Sequence, residues 1–136
     1  MFLNSLNSKE KDNFMKLAVA LIKADGVVDI SEKEILDVYA NEMRIKSYDL
    51  EILTNIDDII KEFATESTSQ TKRVIFVELL ALAYADGEYV VEERNIIQKL
   101  AEAFELDKDF IEKVIGLEDA YTSVYKTLIN LVTKGE

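Results

Sequence analysis

A chain of 136 residues, 49% hydrophobic, with no proline and four glycines, is sized for one domain (1–136) with a real core, and so few helix breakers make it all-α. Cysteine and histidine are both absent, which removes disulfides, thiolate and imidazole metal ligands and the commonest nucleophiles and bases, so the chain reads as non-enzymatic. The 27 acidic residues against 16 basic ones give a net charge of −11, which repels nucleic acid and favours a cation or a protein partner with a basic surface, unless the charge serves only solubility.

The opening "MFLNSLNSKEK" lacks the charged and apolar regions of a signal peptide. The first helix is predicted over about Ser8 to Ala24, capped by Asn7 or Ser8, with Glu10 three residues after Asn7 as a capping box requires. Its apolar face is Phe14, Leu17, Ala18 and Leu21. A second helix begins at Ser31, with Ser31 and Glu34 as its box and Ile35, Leu36, Tyr39 and Met43 as its stripe. A third covers about Tyr48 to Ala64, turning Leu50, Leu53, Ile56, Ile60 and Phe63 inward.

The polar stretch "TESTSQTK" (65–72) is a hinge between two halves, too short for a domain linker. The fourth helix, about Thr71 to Ala85, is apolar on almost every side and is expected at the centre of a bundle. Glu78 stands out within it, and a paired or snorkelling carboxylate is the favoured reading over a ligand. The apolar run 74–85 is too short to span a bilayer, so a soluble cytoplasmic protein with no membrane partner is expected. A fifth helix spans about Glu92 to Glu105, with Ile96, Ile97, Leu100 and Phe104 inward. Asp107 caps a short sixth helix ending at Gly116, and a seventh runs from about Glu118 to Thr133.

Laid over one another in a single register, the two halves agree: Ala24-Asp25-Gly26 falls on Ala85-Asp86-Gly87, Glu32 on Glu93, Ile35 on Ile96 and Ala40 on Ala101. A helix–turn–helix unit is thus used twice, over about 8–45 and 71–106. The expected architecture is a compact bundle of about seven helices with the two units related by an approximate two-fold axis.

Within each unit two acids continue the apolar seam. Asp25 lies 4, 7 and 11 residues after Leu21, Ala18 and Phe14, and Asp86 stands in the same relation to Leu82, Leu79 and Ile75. Glu32 precedes Ile35, Leu36, Tyr39 and Met43 on one face, as Glu93 precedes Ile96, Ile97, Leu100 and Phe104. Ionised carboxylates aimed into a core cost several kcal/mol unless paired or coordinated. With oxygen the only donor, Asp25, Glu32, Asp86 and Glu93 suit calcium, magnesium or manganese.

A plainer reading remains open: Asp-Gly is a generic turn, Gly26 and Gly87 supplying positive φ, and the acids cap the following helix. The protein is then a metal-free interaction module. An EF-hand is refused, because its first ligands would be Leu21 and Lys23, or Leu82 and Tyr84. A magnesium-dependent hydrolase using carboxylates alone is the third reading, and the ordered Glu pattern of all-α nucleotide pyrophosphohydrolases is missing.

The stretches "LLALAYADGEYVVEERNIIQKLAEAFELDKDF" and "LAVALIKADGVVDISEKEIL" resemble the tellurite-resistance TerB-like family, over about Phe14 to Phe110. The resemblance implies a compact all-α domain of about seven helices, a divalent-cation site at Asp25, Glu32, Asp86 and Glu93, and a role in tellurite or other stress resistance. It implies no enzymatic activity. Asp29 has Val90 opposite it, so the two copies are not equally acidic.

Overall fold

The computed structural model describes every residue except 25, 27, 52, 53 and 86–89. Among the described residues the chain forms a short 3-10 turn at Leu3–Ser5 and six α-helices, with no strand. These are α1 (Ser8–Ile22), α2 (Ile30–Met43), α3 (Ile56–Glu66), α4 (Ser69–Ala83), α5 (Val91–Ala103) and α6 (Lys108–Lys134). They fall into two compact units, Met1–Leu106 and Asp107–Glu136.

Local chemistry sets most of the boundaries. At α1, Asn7 Oδ1 accepts from the Glu10 amide (2.8 Å) while Glu10 Oε1 accepts from the Asn7 amide (2.9 Å), which is the expected capping box. Thr68 Oγ1 opens α4 by accepting from the Thr71 amide at 3.1 Å. Asn55 does the same for α3, where Asp57 and Asp58 occupy the electropositive first turn.

Several expected boundaries change. The first helix stops at Ile22, and Lys23 and Ala24 form a turn instead. Asp29 rather than Ser31 caps α2, because its carboxylate accepts both the amide (2.9 Å) and the hydroxyl (3.0 Å) of Ser31. The third helix begins at Ile56 rather than Tyr48. Ahead of it the Glu51 amide turns back to Asp49, and Lys23 Nζ donates to the Leu50 carbonyl at 2.7 Å. The sixth and seventh helices are one, since Gly116 takes no positive φ and the left-handed stop falls at Gly135 (φ 72°).

The core of the first unit lies between α1 and α4. Helix α1 packs against α2, α3, α4 and α5, and α4 packs against α1, α5 and the 3-10 turn. The central place expected for the fourth helix is therefore shared with α1. Phe14, Leu17 and Leu21 of α1 and Ile75, Phe76, Leu79, Leu80 and Leu82 of α4 are fully buried. Each such side chain contributes about 1.5–3 kcal/mol through removal from water. Two edge-to-face aromatic pairs extend the core, Phe14–Tyr39 (5.5 Å) and Phe63–Phe104 (6.4 Å).

The register that aligns the two halves in sequence also aligns their helices: Ser8 and Ile22 of α1 fall on Ser69 and Ala83 of α4, and Ile30 of α2 on Val91 of α5. The helix ends correspond as well. The Ile45 amide donates to the Ala40 carbonyl (2.8 Å) and the Leu106 amide to that of Ala101 (3.1 Å). Arg44 (φ 59°) and Glu105 (φ 51°) take the left-handed conformation just before these bonds, a Schellman-type stop in which an ordinary residue stands where glycine is usual.

The second unit is the single helix α6, 27 residues with no buried side chain. No helix among the described residues is long and apolar enough to cross a membrane.

Candidate functional site

The turn joining α1 to α2 opens with Lys23 and Ala24 and reverses at Gly26, whose φ of +83° is the positive value the Asp-Gly pair was expected to need. Its amide donates to the Lys23 carbonyl at 3.0 Å. The chain then enters α2 at Asp29, and Glu32 sits in the first turn with only 3% of its surface exposed. One oxygen of Glu32 accepts the Asp29 amide at 3.2 Å. Hydrogen bonds from the Ser31 amide, then from the Ser31 hydroxyl, hold the Asp29 carboxyl below its ordinary pKa.

The α4–α5 hairpin ends in the same way. Glu93 is also 3% exposed and accepts the Val90 amide at 3.4 Å. Val90 stands in N-cap geometry (φ −77°, ψ 164°) but carries no acceptor, so only half of the capping box forms. The structure thus places Glu32 and Glu93 at matching buried positions, both in the electropositive first turn of a helix. Asp25, Asp86 and Gly87 lie outside the described residues. Among the described residues no group of three or more Asp, Glu, His or Cys gathers as a metal site.

Glu78 is paired, as the favoured reading of it held. Its Oε1 accepts the Phe2 amide (3.0 Å) and the Met1 ammonium (3.1 Å). Glu42 takes the same ammonium at 2.6 Å and the Leu3 amide at 2.5 Å. The Tyr39 hydroxyl donates to the backbone carbonyl of Glu78 at 2.9 Å, tying α2 to α4 beside this clasp. Two acids missed in the sequence therefore matter locally: Glu42 in the clasp and Asp29 as a cap. Asp29 was visible as the acid without a counterpart in the second half. Glu42 carried no signal, because its partners Met1 and Leu3 are far away along the chain.

No family model matches the chain, and no curated protein matches it. Among solved structures it is similar to a tellurite resistance protein from Nostoc punctiforme PCC 73102, with 19% sequence identity and a TM-score of 0.60. The likeness covers 94% of this chain and 82% of that one. At that identity what is shared is the backbone arrangement, and it extends well beyond the stretches 14–110 that carry the resemblance in sequence. The chain is all-helical, as the TerB-like resemblance leads one to expect, and its backbone arrangement is similar to that of this solved tellurite resistance protein.

Proposed function

We propose that the chain is a non-enzymatic TerB-like helical domain that holds a divalent cation through its two Asp-Gly/Glu hairpins, in a stress-resistance role of the tellurite type or as a partner-binding module. The observation that carries this is the burial of Glu32 and Glu93 to the same depth at matching positions. Removing a carboxylate from water is costly unless positive charge or hydrogen bonding compensates it, and a hard cation shared by two such groups supplies that charge. Calcium, magnesium and manganese suit an all-oxygen set of Asp25, Glu32, Asp86 and Glu93.

The shared register of the helix ends supports a pseudo-symmetric pair of units in which both hairpins contribute. Asp29 without an acidic counterpart makes their contributions unequal.

A second reading keeps the fold and drops the cation. The complete capping box of Asp29 and Glu32 favours it, since those acids already serve the amides of α2. The exposed acidic surface would then meet a basic partner.

Thermal unfolding separates the two. Calcium, magnesium or manganese at a hundred times its dissociation constant stabilises the folded state by about 2.7 kcal/mol. Asp86→Asn should abolish that gain while leaving the metal-free transition in place. No shift at millimolar cation for the unaltered chain would leave the metal-free module as the function.

A further inference from the structure

We propose that α6 pairs antiparallel with α6 of a second copy of this chain, making the protein a homodimer through its C-terminal helix.

The first argument is the spacing of its apolar residues. Val114, Leu117, Tyr121, Val124, Leu128 and Leu131 follow one another at intervals of 3, 4, 3, 4 and 3. That is the 3.5-residue period of a coiled-coil seam, in which the apolar line stays turned to one partner helix instead of drifting around the cylinder. From Leu117 onward every one of these side chains is more than half exposed. Tyr125, stacked on Tyr121 (centroids 6.3 Å, planes 6° apart), widens the seam. A helix of 27 residues is about 40 Å long, and helices in water owe most of their stability to the burial of such a face.

The second argument is charge, and it selects the occupant. The helix holds four lysines and four acids, so it is electrically neutral in a chain of net charge −11. The two signs are also segregated. Asp109, Glu112, Glu118 and Asp119 outweigh Lys108 and Lys113 in the first half, which is net −2. Lys126 and Lys134 stand alone in the second half, which is net +2. An antiparallel copy brings each acidic half against a basic half, whereas a parallel copy sets like against like. Antiparallel pairing also opposes the two helix dipoles favourably. A strongly basic partner would meet no net acidic charge on this helix.

Sedimentation of the full chain across micromolar to near-millimolar concentration tests the pairing. The expected species is a dimer of twice 15.5 kDa. Leu117→Glu combined with Leu128→Glu should return it to monomer while the cooperative far-UV transition of the helical bundle persists. Thr122→Glu, off the seam, should leave the dimer intact. The chain has no cysteine, so single introduced thiols report orientation. Ala120→Cys, at the middle of the helix, should oxidise to an interchain disulfide, and Lys134→Cys, at its end, should not. An unaltered chain that stays monomeric throughout, or a dimer that survives the double substitution, overturns the proposal. Efficient crosslinking through Lys134→Cys overturns the antiparallel arrangement.

Discussion

Glu78 offers the sharpest test of how the first unit is held together. Its side chain is 7% exposed on a helix otherwise apolar in its interior, and it accepts the Phe2 amide and the Met1 ammonium. A hydrogen bond to a charged, buried acceptor contributes about 1.5–3 kcal/mol, and that range applies to the Phe2 amide. The Met1 side is 83% exposed, so solvent screening reduces the ammonium contribution to about 0–1 kcal/mol. Glu78→Ala should therefore cost about 3 kcal/mol once the buried methylenes are included. Glu78→Gln keeps an oxygen for Phe2 and should cost about 1 kcal/mol, the loss of charge alone.

Urea unfolding followed by far-UV circular dichroism reads both values, and its pH dependence separates them further. Burial works to lower the Met1 ammonium pKa, but hydrogen bonds to Glu42 and Glu78 outweigh it and hold the group above its ordinary 8.0. A raised folded-state pKa gives stability that is full below pH 8.0 and is lost as pH rises through the folded value. With Met1 as first residue, the advantage of the unaltered chain over its Glu78→Gln variant should shrink as pH rises through that folded value. Equal stabilities for the Ala and Gln variants, or an advantage unchanged far above pH 8.0, would refute the reasoning.

Three further outcomes follow from local geometry. Asp29→Ala removes a cap that serves both the amide and the hydroxyl of Ser31 and should lower Tm; Val90→Asp, in ready N-cap geometry, should raise it. Gly116→Ala lies inside a continuous helix with open space around the new Cβ, so it should increase helicity by about 1 kcal/mol of propensity; a fall in ellipticity would mean that the helix breaks there. Hydrogen bonds from Lys9 and then Asn13 depress the Glu62 carboxyl, so their contribution holds above pH 4.5 and is lost only as pH falls through the lower folded value. The Glu62 midpoint in an NMR titration should rise in Lys9→Ala yet stay below the ordinary range, because Asn13 still donates to the carboxylate.

The helices nearest to amphipathic or fully apolar ideals were the most legible in sequence. The expected α1 and α4 match the structure within about two residues because cap chemistry and apolar period agreed there. The start of α3 is not legible from period alone, because Leu50 and Leu53 keep helical spacing with Ile56 and Ile60 although the helix opens only at Ile56; Leu53 itself lies outside the described residues. Gly116 has the residue type of a helix stop, but apolar residues at helical spacing continue on both sides of it. A single glycine costs only about 1 kcal/mol, and a long helix absorbs that. At the candidate site, the burial of Glu32 and Glu93 was legible because a helical stripe fixes which face a first-turn residue joins. The choice of Asp29 over Ser31 as cap was not, since both residue types serve that role equally well. The Glu42–Glu78 clasp depends on pairings across three segments, which no local pattern encodes.

Manganese is the most direct probe of the cation proposal, because its free hexaaqua ion gives an electron paramagnetic signal that is lost on binding. Titrated with the full chain, the free signal should fall to a saturable limit and return on addition of excess calcium or magnesium. Glu32→Gln with Glu93→Gln should weaken binding at least tenfold, a loss of about 1.4 kcal/mol, without unfolding the bundle. A free-ion signal undiminished at millimolar protein, or an affinity unchanged in the double variant, would contradict the assignment of a cation to these hairpins.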